Sequence, residues 1–234
     1  MDKITAVCIK GDIIGSRLNR KEKELKEIVD HLNHEFNEHL TTEFTIRAGD
    51  EFFGIINHFR SGYEVFKEIY YLSQKFRVPL YVGVGFGDIF NENLDNPEQV
   101  NGEAIWNASD ALEFLRTTNF RGKDAIHSLD ESFKYEIRIG NERENSSIIN
   151  YYIYFIFDKI RKRTEKQMEA IRMLEKNPHL TYEELGKYLN YREEHRIANV
   201  SKLLARADYQ LIKHAEEELL KLIHIIYQFG KKGT

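Results

Sequence analysis

The chain has 234 residues, 41% of them hydrophobic and 31% charged, with a formal net charge of −4. That is enough apolar material for a full core plus a small second module, and it excludes a disordered or fibrous chain. The single cysteine, Cys8, excludes an intramolecular disulfide and sits in an apolar run, where a buried inert thiol is expected.

Met1-Asp2-Lys3 leads straight into a strand, so no leader is expected, and the longest apolar stretch, residues 148–157, is about half of a membrane span. A cytoplasmic protein with no membrane partner is the simplest reading. Charge is unevenly spread: residues 158–234 hold 16 lysines and arginines against 12 acids, and residues 1–157 hold 18 against 26. An acidic front and a basic tail argue for two modules with different partners, the tail being a candidate for a polyanion.

The first apolar run, residues 4–9, ends in Gly11-Asp12-Ile13-Ile14-Gly15-Ser16-Arg17, which puts a carboxylate at a strand end beside glycine. Leu25, Ile28, Leu32, Phe36 and Leu40 then recur at three- and four-residue intervals, a stripe for a helix of about five turns. Residues 44–46 and 52–56 flank Ala48-Gly49-Asp50-Glu51 as a hairpin whose turn holds a second acid. Asp12 and Asp50 converge only if their strands pair. Such hard oxygen ligands suit Mg²⁺ or Mn²⁺, completed by substrate phosphates.

Val65, Phe66, Ile69, Leu72 and Phe76 make the next helical stripe, and residues 79–86 read as a strand. Its glycine-rich part, Val82-Gly83-Val84-Gly85, lacks the context of a phosphate loop and reads as close packing of a helix or ligand. Residues 102–118 are helical, with Ala104, Ile105, Ala108, Leu112 and Leu115 facing in. The resulting β-α-β-β-α-β-α order predicts an α+β domain over residues 1–145, a ferredoxin-like or polymerase-palm sheet with helices on one face.

A connecting helix is expected over residues 146–176, where neither glycine nor proline interrupts. Its aromatic start, Tyr151, Tyr152, Tyr154, Phe155 and Phe157, packs on the sheet domain or forms a dimer seam, and Ile153, Ile160 and Met168 extend the apolar surface. A homodimer is expected from it. Residues 177–234 read as an all-α helix-turn-helix domain, opened by the capping pair Thr181 and Glu184. In its second helix Ile197, Val200, Leu203 and Leu204 point inward. That leaves His195, Arg196, Asn199, Lys202 and Arg206, with Arg192 in the turn, as candidate contacts to double-stranded DNA. A packing module that touches no DNA is the competing reading, favoured by Glu183, Glu184, Glu193 and Glu194.

The Asp12 and Asp50 motifs, the 32–36 helix, the 102–112 helix and the C-terminal helix-turn-helix together resemble the SatD family across nearly the whole chain. That family's front domain is in turn similar to class III nucleotidyl cyclases and GGDEF diguanylate cyclases. The resemblance implies metal ligation by Asp12, Asp50, the Ile13 carbonyl and Glu51, and nucleotide or phosphate contacts from Gly11, Ile14, Gly15, Ser16 and Arg17. It also implies a departure. Where class III cyclases carry Asn and Arg on a late helix, this chain has Trp106 and Asp110, and an acid beside developing phosphate charge opposes catalysis. Two functions stay open: a nucleotide-sensing, metal-binding DNA regulator with a degenerate cyclase-like domain, or a nucleotidyl cyclase or transferase that makes a cyclic or oligomeric product from a nucleoside triphosphate.

Overall fold

The structure is a computed structural model that describes residues 3–90, 94, 99–140 and 143–232. Its order is β1 (Lys3–Ile13), α1 (Glu22–Glu35), β2 (Leu40–Arg47), β3 (Glu51–Ile56), α2 (Phe59–Phe76), β4 (Leu80–Phe90), α3 (Glu103–Thr117), β5 (Phe133–Ile139), α4 (Arg143–Ile160), α5 (Glu165–Lys176), α6 (Tyr182–Tyr188), α7 (Arg196–Arg206) and α8 (Tyr209–Lys232). The five strands form one mixed sheet, β2-β3-β1-β4-β5, antiparallel except for the parallel β4–β5 pair. The chain packs as two compact units, one of residues 1–152 with 220–234 and one of residues 153–219.

β1 lies at the centre because it is apolar on both faces: Ala6, Val7, Cys8 and Ile9 have no exposed surface. Burial also pushes the Cys8 thiol up to about 12, so it is inert at physiological pH. One face of the sheet carries α1 and α2, with Gly62 of α2 set directly on Val7. The other face carries α3. Its Ala104, Ile105 and Ala108 share a buried cluster with Ala6, Cys8, Phe53 and Ile55. Helices therefore cover both faces, not one, because successive residues of a strand point to opposite sides and both sides of β1 are apolar.

Gly83, Gly85 and Gly87 project toward α3, and the helix lies against them. A Cβ on Gly85 would stand 2.0 Å from the Ala104 carbonyl oxygen and 2.4 Å from the Ala108 nitrogen; one on Gly83 would stand 2.6 Å from the Ala108 carbonyl oxygen. The expected close packing on this glycine run is thus made by a helix.

Three local expectations change. The first helix ends at Glu35, and Leu40 opens β2 instead of continuing the helical stripe. β5 was not expected, although Phe133, Tyr135, Ile137 and Ile139 alternate with polar residues at strand period. The helix expected over 146–176 is two helices. Thr164 starts a new one with a capping box to Gln167, the side chain of each bonding the other's backbone N–H.

Residues 220–232 belong with the sheet unit, not with the helical module. The Tyr227 hydroxyl donates to the Asp88 carboxylate and lies 2.8 Å from Thr5 Oγ1, while Lys231 Nζ is 2.9 Å from the other Asp88 oxygen. Burial pushes Asp88 up, but the donors Tyr227, Lys231 and Thr5 outweigh it and hold its carboxyl below the ordinary range. In the second unit Ala170, Ile171, Leu185, Leu189, Val200 and Leu204 close a small core among α5, α6 and α7. Among the described residues no helix is long and apolar enough to cross a membrane.

Gly85→Ala is expected to lower unfolding free energy by about 1–3 kcal/mol, read by urea denaturation, because backbone atoms of α3 occupy the space of the new methyl. Asp88 has a lowered folded pKa, so its contribution is present above about pH 4 and lost as pH falls through the folded value. Asp88→Asn is expected to speed proteolytic cleavage within residues 220–232 at pH 7, and the difference from wild type should narrow as pH falls below about 4.

Candidate functional site

The antiparallel register of β1 with β3 sets Asp12 opposite Glu51, and that of β1 with β4 sets it opposite Tyr81. These positions lie at the end of β1, on the face that α3 covers. A helix residue four beyond Leu112 then reaches them. Arg116 Nε and Nη2 donate to one Asp12 oxygen at 3.0 and 2.8 Å, and Nη2 also donates to Glu51 Oε1. One guanidinium thus bridges carboxylates on two adjacent strands.

Asp50 sits in the tight turn between β2 and β3. Ala48 and Gly49 hold φ of 51° and 91° there. Ala48 therefore occupies a left-handed position that costs a non-glycine residue about 1 kcal/mol. The Asp50 carbonyl accepts the Ile13 N–H at 3.2 Å, which ties the turn to the end of β1. Burial is the main cause that pushes Asp12 up; Arg116 pulls it down, and the charges of Asp50 and Glu51 push it up again, so its carboxyl stays above the ordinary range.

Among the described residues no group of three or more His, Cys, Asp or Glu side chains is arranged to hold a metal ion. An all-protein cage is excluded for these residues. Two neighbouring carboxylates already share one cation, however, and Mg²⁺ is commonly held by one or two carboxylates with phosphate oxygens and water completing its shell. The donor set fits an ion delivered with a phosphate ligand.

The residues expected to meet phosphate divide. Gly11 is buried within β1 beneath the Phe52 ring, and the Ile14 N–H is taken by the Pro79 carbonyl at 2.9 Å. Gly15, Ser16 and Arg17 form a turn beside the acidic corner, with Gly15 at φ 63° and its carbonyl accepting from Leu18 and Asn19. Trp106 is largely exposed, and Asp110 faces Arg138 at 3.5 Å instead of the acidic corner. Arg116 is not among the residues that the acidic motifs point to. Its signal was there: Ala104, Ala108, Leu112 and Arg116 follow at four-residue steps, so a charge continues the inward stripe.

In the helical unit the Thr181–Glu184 capping box forms as expected. The outward set does not fully hold. Arg196 Nη1 donates to Glu183 at 2.7 Å and its Nε to the Tyr191 carbonyl at 3.3 Å, and its Cβ would lie 2.6 Å from a Cβ on Gly186. It fastens α7 to α6. Ile197, expected inward, is 58% exposed, because Arg196, Val200, Leu203 and Ala207 share the inner stripe. His195, Lys202, Arg206 and Arg192 are exposed, and Asn199 is half-buried. Of the apolar surface expected to pair two protomers, Ile153, Phe157 and Ile160 are buried within the single chain.

Arg116→Ala would leave Asp12 and Glu51 facing each other uncompensated. It is expected to cost about 1 kcal/mol at pH 7, discounted for partial exposure. The deficit should close as pH falls through the carboxylate range, because protonation removes the repulsion. Thermal melts at pH 7 and pH 4 read both terms.

No curated protein and no solved structure matches the chain. The family model described as SatD family matches residues 6–139, from the middle of β1 to the end of β5, and so takes in every residue of the acidic corner. The chain belongs to the SatD family.

Proposed function

We propose that the sheet unit binds a metal–nucleotide at the Asp12–Glu51–Arg116 corner, and that the protein is a ligand-responsive regulator whose helical module contacts duplex DNA. The observation that carries the reading is the convergence of two carboxylates from paired strands on one cationic group, beside the exposed Gly15 turn. Strand order β2-β3-β1-β4 with α1 and α2 on one face supports a ferredoxin-like, palm-type ancestry for this unit. In this reading Asp12 and Glu51, with Asp50 close by, hold Mg²⁺ or Mn²⁺. The Gly15–Arg17 turn meets the phosphates. The metal would supply charge compensation between the carboxylates and the phosphate. Arg116, ion-paired with both acids, would reach a phosphate by exchanging those partners for the incoming charge.

The α6–α7 pair supports a helix-turn-helix, joined through Asn190 at φ 59°. Its exposed His195, Lys202 and Arg206, with Arg192, suit phosphates and base edges. Ile148 and Tyr151 on α4 remain exposed and offer apolar surface for a homodimer.

A second reading, a nucleotidyl cyclase or transferase, is favoured by one observation. Arg116 supplies the cation that the Asp110 position lacks, and a guanidinium near a transferring phosphate stabilises its charge.

Calorimetry of the full chain with nucleoside triphosphates and Mg²⁺ is expected to show binding that Asp12→Ala abolishes. Unchanged binding in that variant would remove the site. Mass spectrometry of the same mixtures decides between the readings, since a new cyclic or oligomeric product establishes the enzyme. Lys202→Ala and Arg206→Ala are each expected to weaken duplex binding about equally for all sequences, with affinity falling steeply with salt. Arg196→Ala is expected to lower the stability of the module, not its sequence preference.

A further inference from the structure

The bridge between Asp12 and Glu51 is made by a single atom. Arg116 Nη2 donates to Asp12 Oδ2 at 2.8 Å and to Glu51 Oε1, and Nε adds a bond to the same Asp12 oxygen at 3.0 Å. Two carboxylate oxygens that share one nitrogen are also close enough to share one metal ion. Mg²⁺ holds its oxygens at about 2.0–2.1 Å, so an ion bridging this pair would occupy the place of Nη2 itself. Guanidinium and bridging metal exclude each other.

Two other cations of the same sheet face are held elsewhere. Lys10 and Arg47 lie over the Phe53 ring, 5.5 and 4.5 Å from its centroid, and Lys10 Nζ also bonds Ser109 at 2.6 Å. Arg116 is anchored differently. It stands in the last turn of α3, its side chain is 35% exposed, and that of Glu51 is 41% exposed. Ion pairs at such exposure are weak in water, and the arginine stem can swing outward without moving the helix.

We infer that Arg116 is a tethered counter-ion that closes the corner when no ligand is bound, that a divalent cation bridges Asp12 and Glu51 only by displacing it, and that the displaced guanidinium then grips the phosphate the ion carries. The inference rests on the metal–nucleotide reading of this corner and adds its selectivity. A bare ion gives the evicted guanidinium no new partner. An ion that arrives with a phosphate does, and a guanidinium meets phosphate oxygens with two parallel bonds. The corner therefore discriminates against the free ion and in favour of the phosphate-borne one.

The test uses the full chain. The electron-spin signal of free Mn²⁺ gives the affinity for a bare ion, and calorimetry with magnesium pyrophosphate gives that for an ion with phosphate. Arg116→Gln should bind Mn²⁺ about tenfold more tightly than wild type, the factor that two partly exposed ion pairs account for. It should bind magnesium pyrophosphate about tenfold more weakly, having lost a charge-assisted contact. A merely structural arginine would move both affinities the same way or neither. In the wild type the Arg116 Nε–H signal, assigned by its absence from the spectrum of Arg116→Lys, should shift as magnesium pyrophosphate saturates the protein. Asp12→Asn should abolish binding of both probes. Binding that survives Asp12→Asn, or no Mn²⁺ binding by wild type and Arg116→Gln at tens of millimolar, would overturn the metal reading and this inference with it. Binding lost in Asp12→Asn but unchanged for both probes in Arg116→Gln, or an Nε–H signal unmoved at saturation, would overturn the inference alone.

Discussion

Everything at the acidic corner depends on how closely α3 lies on β4. With side chains at positions 83, 85 and 87 the helix would have to ride outward by the depth of a methyl or more. With glycines, its backbone rests on the strand. That height sets what the rest of the helix touches. Lys10 Nζ reaches Ser109 at 2.6 Å, and about two turns further on Arg116 meets both Asp12 and Glu51. The absent side chains of one strand thus fix the position of a charge that belongs to another element.

The corner is also where the fold tolerates a local conflict. Two carboxylates face each other across paired strands, a third acid sits in the adjoining turn, and Ala48 holds a left-handed backbone angle within that turn. Like charges opposite each other destabilise a sheet. Arg116 compensates, Arg47 stands opposite Glu51 on the neighbouring strand, and Asp12 is above the ordinary carboxylate range chiefly because it is buried. A conflict of this kind is relieved by a cationic partner, and structural violations of this sort concentrate at functional positions.

The sheet was legible where a single period dominated. Ile4 to Ile9, Phe52 to Ile56 and the Ala104–Leu115 stripe appear where their patterns placed them. Errors arose where two periods competed. Leu40 fits a helical stripe by spacing, yet the 3-10 turn at Asn37–His39 ends the helix and hands Leu40 to a strand. The break at Thr164 lacks both glycine and proline and is written only in its capping box. At the site, Asp12 and Asp50 drew the eye because acids beside glycine at strand ends are unusual, but it is Glu51, implied only by the resemblance, that stands opposite Asp12. Arg116 was hidden, because a cation in the last turn of a helix is also what the helix dipole favours. Only its continuation of the inward stripe marks it.

The division of the chain alters the electrostatic case for a polyanion partner. The net excess of base over acid in the tail owes much to Lys221, Lys231 and Lys232, which lie in the segment grouped with the sheet unit, and one of them, Lys231, is paired with Asp88 there. The helical unit of residues 153–219 holds 13 lysines and arginines against 12 acids. Its overall field is therefore close to neutral, and long-range steering contributes little. Any affinity for duplex DNA must come from a local patch. Arg192, His195, Lys202 and Arg206 can form one, but Glu193 and Glu194 lie in the same turn, and Arg196 is committed to Glu183. With few phosphate contacts available from one module, the counterion-release term is small. Two modules acting on one duplex would double it, so the DNA half of the proposal leans on a homodimer in a way that the metal–nucleotide half does not.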